Sequence, residues 1–574
     1  MNRVTSARTE TNETVSPTAP PAGKYYDWGE RFPFKLTDRT WPDNNLTHAP
    51  LWASVDLRDG NQALPRPMTV DEKTDFFDLL ANKVGFREIE VGYPTANEEE
   101  YTFLRRLIEE KRIPDHVIPQ ILTMSRADLF QKAFESLRGV RSAIFHVYCP
   151  VSDDQMELFF NMTRHQILQK VMDDVKEVRK QATQADFDVH LQFSPESATC
   201  GDPVFTKAVI QEVYRIWQPS QDRRLIVNVP DTVQVASGQG SHNRYGDIIE
   251  YLRRAFPKGD VEFSLHTHND QQLGIASALN GLMAGASRVE GTLFGNGERT
   301  GNCDLLVMSK YFFEMGKDPG INIKDIPSIR AQYEKNTGMI VPPRHPLGDL
   351  AFTAFSGGHQ AAISAGLKYQ ESSSNRMWRV PYLSMDPQDV GLAYEPIRIN
   401  SQSGKHGAAF CLKENFGCEI PRGMLNEWSQ AVKNWCDTHK VEIKPDEVWA
   451  LFESSYIDPE GPLALKGYTT TSDGGNTKAH VELKVNGGRT ITISGVGNGP
   501  IDAVTRALGE IDQSVTVKSF AEHSRGEGSD AEAVAYVQVD RDGKTTFGVG
   551  IASNIEEASL RALVAGANRL STMA

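Results

Sequence analysis

Between Trp52 and Gly316, short apolar runs alternate with longer amphipathic stretches. This alternation limits the folds open to the chain more than any other feature. Eight runs read as buried strands: "WASVDL" (52–57), "REIEVGY" (87–93), "VIPQIL" (117–122), "SAIFHVY" (142–148), "DVHLQF" (188–193), "RLIVNV" (224–229), "VEFSL" (261–265) and "RVEGTLF" (288–294). Segments between them, such as "VDEKTDFFDLLANKVG" and "QQLGIASALNGLMAGAS", carry apolar residues at helical spacing. Eight strand–helix units in about 260 residues fit a (β/α)8 TIM barrel. A doubly wound open sheet is the competing arrangement, but no glycine fingerprint follows the first strand.

Such a barrel carries its chemistry at the C-terminal ends of its strands. Six polar groups fall there: "LRDGNQ" (57–62), His146, "SPES" (194–197), "NVPDTV" (228–233), "HTHND" (266–270) and "GNGERTGN" (295–302). Side chains alternate along a strand, so His266 and His268 face the same way. Two converging imidazoles make half a metal site; the plain alternative is one packed and one solvated histidine. Asp59 is the natural oxygen ligand. With His266 and His268 it would leave open positions on a divalent ion. Such an ion grips a 2-oxo acid through its keto and carboxylate oxygens and polarises the carbonyl. Arg58 beside it suits a developing oxyanion, although an Arg–Asp neighbour pair is more often a surface ion pair.

Other chemistries fit less well. A two-metal hydrolase would need histidines on strands five and six, where this chain has Glu196 and Thr232. The "GNGERTGN" loop lacks the Lys-Ser/Thr of a phosphate-binding loop. Its glycines permit tight turns that leave Glu298 and Asn302 facing the site. The net charge of −14 argues against nucleic acid or an anionic membrane as partner. No apolar run is long enough to span a bilayer. The six cysteines include no C-x-x-C pair and read as reduced thiols of a cytoplasmic protein.

Residues 1–25 are rich in Ser, Thr and Pro, lack the apolar stretch of a secretory signal and read as a disordered tail. A short N-terminal extension (26–50) leads into the barrel (51–316). A helical connector (317–430) holds "PPRHPLGD" and "FSGGHQAAISAG". The last part (431–574) repeats itself: "HVELKVNGGRTITISGVGNGPIDAVTRAL" and "AVAYVQVDRDGKTTFGVGIASNIEEASLRAL" each run strand, tight turn, strand, G-V-G and helix. A ββα-type unit used twice suggests a pseudo-twofold α+β domain.

"LRDGNQ", "HTHND" and "GNGERTGN", on strands one, seven and eight, resemble the acyl-CoA condensing branch of the HMG-CoA lyase-like barrel family. "SPES", "SGGHQ" and the C-terminal repeat narrow the resemblance to the 2-isopropylmalate synthase family in its long bacterial form. The resemblance implies a Claisen-type condensation of acetyl-CoA with 3-methyl-2-oxobutanoate, the first committed step of leucine biosynthesis, by a homodimer. It assigns a divalent metal to Asp59, His266, His268 and Asn302: magnesium or manganese, with zinc as an alternative. Potassium or another monovalent cation would be an activator. His146, Ser194, Glu196 and Thr232 map onto the keto-acid pocket, and Arg58 onto the keto oxygen. Glu298 supports catalysis near the acetyl group, and His359 and Tyr394 reach into a neighbouring subunit's site. His359 and Glu196 are the candidate bases.

The C-terminal repeat resembles a leucine-binding regulatory domain, with Gly497, Asn498, Gly499, Pro500, Ala533, Ala535, Ile551 and Ala552 as candidate contacts. Asp231 departs from the family pattern by placing a charge beside Thr232. That leaves homocitrate or citramalate synthesis as the alternative, followed by a lyase of the wider family.

Overall fold

The computed structural model describes residues 28–234, 244–374, 377–394, 399–400, 404–526, 528 and 530–573. The expected tail (1–25) lies outside them. The chain divides into two compact units at Gly348 and Asp349.

In the first unit eight parallel strands close into a barrel in sequence order: β1 Leu51–Ser54, β2 Glu88–Gly92, β3 Ile118–Met124, β4 Ser142–Pro150, β5 Asp188–Glu196, β6 Leu225–Asp231, β7 Glu262–Thr267 and β8 Arg288–Gly291. Closure falls between β1 and β8, where Trp52 lies opposite Val289 and Ala53 opposite Glu290. Each expected run supplies one strand, but the first and last are shorter than their apolar patterns. "VDL" leaves β1 in a wide turn, Asp56–Gly60, and β8 stops before "TLF". Asp56 ties these two departures together. Its carboxylate accepts the Ser54 hydroxyl and, from the far side of the closure, the Leu293 N–H at 3.0 Å.

Helices follow the strands, and the sequence signals their starts. Thr69 and Glu72 form a capping box ahead of Val70–Asp78, Thr163 and Gln166 another ahead of Arg164–Gln184. Asp304 accepts the N–H groups of Leu306 and Val307 at the head of Leu305–Glu314. Outward-facing strand residues Ile89, Val91, Ile121, Val227, Leu265 and Val289 are at most 1% exposed. At about 25 cal/mol per Å2, this apolar burial between barrel and helices is the main stabilising contribution.

The inside of the barrel is polar. Glu88, Glu90, Gln120, His146, Gln192, Asn228, Ser264, His266, Arg288 and Glu290 are all buried there, whereas barrels of this kind are more often filled by branched apolar side chains. The strand runs read as apolar because their outward residues dominate the pattern. The alternate charged positions fill the interior.

The N-terminal extension is anchored by Trp41, whose indole N–H donates to Asp247 Oδ1 at 2.9 Å. Thr40 donates to Glu250 on the same helix, Arg244–Arg253.

The second unit opens with helices that include Gly357–Ser372, Gly404–Phe416, Leu425–His439 and Pro445–Phe452. Two antiparallel sheets follow: β9 Leu463–Asp473, β10 Asn476–Val485 and β11 Arg489–Gly497, then β12 Thr516–Arg525, β13 Glu532–Arg541 and β14 Lys544–Ala552. Helices Pro500–Leu508 and Ile555–Thr572 end the two repeats. Each repeat thus carries one strand more, β9 or β12, than the sequence pattern revealed. Both are half-exposed edge strands with weak apolar alternation. The two repeats share one core, including Val481, Ile493, Val504, Val537 and Leu563. The other face of β13 and β14 packs through Tyr536 and Phe547 against Trp428 and its neighbours.

Candidate active site

The six polar strand ends meet. A cavity of about 320 Å3 at the C-terminal mouth of the barrel is lined by Arg58, Asp59, Gln62, Leu122, His146, Tyr148, Ser194, Glu196, Asn228, Pro230, Thr232, His266, His268, Glu298 and Arg299. Every lining residue belongs to the first unit.

Asp59 stands on the wide turn that replaces the end of β1, and His266 on β7. His268, one residue past the strand, is held by a bridge to Asn302. One ligand atom from each of Asp59, His266 and His268 lies within 4.8 Å of the others. The two rings are 5.1 Å apart. Asn302 donates its amide to Asp59 Oδ2 at 2.6 Å, and its own Oδ1 is buried with no partner among the described residues. The buried Nδ1 of His268 also lacks one.

Charge completes the case for a cation here. Burial opposes ionisation of Asp59, but Arg58 and then His266 hold its carboxyl well below the usual range. Burial opposes a proton on His266 too, yet the carboxylates of Asp59 and Glu290 lift its pKa to about 9. Burial and then the charge of His266 push His268 down to about 3. The site favours one positive charge beside Asp59, and a divalent ion can take that proton's place. The donor set of two imidazoles, a carboxylate and an orphaned amide oxygen fits such an ion.

The pocket side is a chain of hydrogen bonds. Arg58 Nε donates to Glu90 Oε2 at 2.5 Å and Nη1 to Asp59. Glu90 Oε1 pairs with His146 Nδ1 at 2.7 Å, and His146 Nε2 with Ser194 Oγ at 2.7 Å. Arg58 is therefore no surface ion pair. Its guanidinium is clamped between two buried carboxylates, which favour the charge that burial opposes. Burial is the first cause that raises the Glu196 carboxyl above its ordinary pKa, with Gln155 and Arg58 pulling against it. The Thr232 hydroxyl is buried without a partner among the described residues.

Asp231 is fully buried and does not line the cavity, whereas Pro230 and Thr232 do. Strand alternation turns the feared charge away from the pocket. Glu298 lies at the rim, where Gln62 donates to it at 3.5 Å.

Beyond the predicted site residues, Gln62, Leu122, Tyr148, Asn228, Pro230 and Arg299 also line the cavity, and Glu90 and Glu290 are buried inside the barrel. Gln62 and Arg299 sat inside motifs already marked. Arg299 donates to Asp270 at 2.9 Å and to the Thr232 carbonyl, tying three strand-end loops together. Glu90 and Glu290 were hidden inside strand runs; their signal was a carboxylate at an alternate strand position, where burial demands a partner.

His359 and Tyr394 belong to the second unit. His359 is exposed and stacked on Tyr382 with ring centroids 4.0 Å apart. Burial pushes the Tyr394 phenol up to about 12.

The candidate leucine contacts are spread over the two C-terminal repeats. Ala533, Ala535 and Ala552 face the helical core, while Ile551 packs toward the opposite face. The G-V-G segments lie toward the ends of their strands, β11 and β14. A Cβ on Gly495 would lie 2.1 Å from the Ala503 carbonyl oxygen, and one on Gly550 2.0 Å from that of Ala558. These glycines admit the helices. The Asn498 N–H already donates to Asp502 Oδ2 at 3.0 Å. Gly499 and Pro500 start the helix without a side-chain cap.

Residues 49–332 match the HMGL-like family, 349–413 the "Alpha-isopropylmalate synthase, post-catalytic domain-like" family and 442–571 the "LeuA allosteric (dimerisation) domain". The chain is 41% identical over 548 residues to the 2-isopropylmalate synthase of Clostridium acetobutylicum, covering 93% of this chain and 97% of that one. The chain belongs to the 2-isopropylmalate synthase family. A second member, from Rhodospirillum rubrum, is 42% identical over 94% of this chain and 97% of its own. Membership in the 2-isopropylmalate synthase family accounts for the closed barrel and the C-terminal repeat in one chain, and it implies a divalent metal.

Proposed function

We propose that this chain is an acyltransferase that condenses acetyl-CoA with 3-methyl-2-oxobutanoate to give 2-isopropylmalate and free CoA. The observation that carries the reading is the meeting of Asp59, His266 and His268 beside Arg58 in one barrel mouth. Near-full-length likeness to 2-isopropylmalate synthases supports it.

Asp59, His266, His268 and Asn302 would hold the divalent metal, which we take to be magnesium or manganese, with zinc as the alternative. When bound, it supplies Lewis-acid polarisation of the 2-oxo group. The remaining steps fall to side chains. Ser194 and Thr232 offer hydroxyl groups to the substrate carboxylate, and His146, held between Glu90 and Ser194, orients the Ser194 hydroxyl. Leu122, Tyr148 and Pro230 give the branched side chain an apolar wall. Arg58 balances charge on the keto oxygen as the carbon–carbon bond forms. Glu196 is a candidate to take the methyl proton of the thioester, since burial raises its carboxyl above the ordinary range and makes it a stronger base. His359, which the family likeness assigns to a neighbouring subunit's site, is the other candidate. Glu298 and Tyr394 would assist, and water then cleaves the thioester to release CoA.

The five-part division (1–25, 26–50, 51–316, 317–430 and 431–574), a homodimer, a cytoplasmic location, activation by potassium and feedback inhibition by leucine through the C-terminal domain belong to the same proposal. Among the described residues, no helix is long and apolar enough to cross a membrane.

Thiol release tests the reaction. Purified protein with manganese or magnesium and acetyl-CoA is offered a panel of 2-oxo acids, with and without leucine. Release with 3-methyl-2-oxobutanoate that leucine inhibits supports the proposal. Preference for pyruvate or 2-oxoglutarate moves the substrate to citramalate or homocitrate synthesis. No release with any acid overturns the condensing reading.

A further inference from the structure

Glu290 lies on β8 at the centre of the barrel and is 0% exposed. It is not in the cavity wall. Its Oε1 accepts from Arg288 Nη1 at 2.8 Å, Gln120 Nε2 at 3.1 Å and Gln192 Nε2 at 2.7 Å. Its Oε2 accepts from Asn228 Nδ2 at 2.9 Å and faces His266 Nδ1 at 3.1 Å. Donors on both oxygens leave the carboxylate no freedom to turn.

We infer that Glu290 is a positioning residue for the metal centre, holding His266 with Nδ1–H on the carboxylate and the Nε2 lone pair turned toward Asp59. The inference rests on the metal reading of Asp59, His266 and His268. A neutral imidazole has one donor and one acceptor nitrogen. Were Nδ1 the acceptor, two lone pairs would face each other across 3.1 Å in a buried site. The proton therefore belongs on Nδ1. Nε2 then points to Asp59 Oδ2, 3.4 Å away. Nδ1 of His268 has no such partner among the described residues. His266 is thus the oriented ligand of the pair, and His268 owes its place to the backbone bridge with Asn302.

The same carboxylate reaches the substrate side. Asn228 Nδ2, which donates to Glu290, also lies 3.1 Å from Ser194 Oγ. One buried group therefore fixes both the metal-facing ring and the floor of the pocket. Sharing Glu290 with Arg288 is not its whole purpose, because Arg288 Nε already pairs with Glu88 at 2.6 Å.

The test compares wild type, Glu290→Gln and Gln192→Leu. Each is stripped with chelator and titrated with Mn2+, with free ion read by electron paramagnetic resonance and folding by thermal midpoint. Gln192 touches the same carboxylate but not His266, so its variant reports damage to the network alone. We expect Glu290→Gln to weaken Mn2+ binding ten- to a hundredfold, as loss of a ligand's hydrogen-bond partner does. Gln192→Leu should stay within about threefold of wild type, well short of that loss.

Equal affinity in folded Glu290→Gln and wild type, or an equal loss in both variants, overturns the inference and leaves the metal reading intact. A wild type that does not bind Mn2+ overturns both. Should Glu290→Gln fail to fold, the wild type decides. Nitrogen-15 histidine spectra of the Zn2+-loaded protein, with His266 assigned by its loss in His266→Asn, must show the proton on Nδ1. A proton on Nε2 ends the proposal.

Discussion

Asn302 Nδ2 donates to Asp59 Oδ2 at 2.6 Å, joining the loop after β8 to the turn after β1 across the closure of the barrel. The bond spends the amide's donor on Asp59 and leaves its oxygen free for a cation. Asn302→Ala removes both. Mn2+ affinity should fall about ten- to a hundredfold, with a thermal midpoint near wild type. Titration of the stripped protein checks this. Unchanged affinity would remove Asn302 from the site.

The loop that carries Asn302 depends on Gly301. Its φ is +99°, and a Cβ there would stand 1.9 Å from the Gly295 carbonyl oxygen, a backbone atom that cannot move aside. Gly301→Ala should cost at least about 1–3 kcal/mol through backbone strain alone. It should also weaken Mn2+ binding through the displaced Asn302. Wild-type unfolding and metal binding in this variant would contradict the geometry.

Arg58 is forked between Asp59 and Glu90. A lysine carries one compact ammonium and cannot serve both. Arg58→Lys should lower kcat by about a hundredfold or more, the scale of losing one oxyanion donor. KM for the 2-oxo acid should change less than kcat. Steady-state kinetics separates the two parameters. A change confined to KM would make Arg58 a binding residue only.

Burial raises the pKa of Glu196. A base works ionised, so activity should rise with pH as Glu196 loses its proton. The acid limb of kcat/KM should therefore centre above the ordinary glutamate value of about 4.3, and Glu196→Gln should abolish the limb together with most activity. A limb that persists in Glu196→Gln would assign the base to another group, with His359 next.

Asp56 makes a stability prediction with a defined sign. Burial, opposed by the Ser54 and Leu293 hydrogen bonds, lifts its pKa to about 7. The unfolded value is about 3.9, so the folded state binds this proton more tightly. Stability from this group is greatest below about pH 4 and declines as pH rises toward 7; the loss above that is on the order of 4 kcal/mol. Asp56→Asn keeps an acceptor for Leu293 and cannot ionise. Its thermal midpoint should exceed wild type at pH 8 by more than at pH 5. A difference independent of pH would mean Asp56 stays ionised when folded.

The barrel and most of its mouth are legible in the chain's own pattern. Eight apolar runs separated by helical stretches have few ways to bury their surfaces, and the strand-end rule then places "LRDGNQ", "HTHND" and "GNGERTGN" on one face. The repeat in the C-terminal part was legible for the same reason: it is a local pattern of strand, turn and helix. Edge strands β9 and β12 were not, because half-exposed strands carry little alternation.

Tertiary structure alone decided what depends on contacts distant in sequence. It drew the ends of β1 and β8 into loops through Asp56 and turned Asp231 away from the pocket. It also set the G-V-G glycines beneath helices. Above all, it filled the barrel with paired charges. Glu90 and Glu290 look like isolated carboxylates in apolar runs, and a buried carboxylate is tolerable only beside its partners. Those partners, Arg58 and His146 for Glu90 and Arg288 and His266 for Glu290, come from other strands and strand ends.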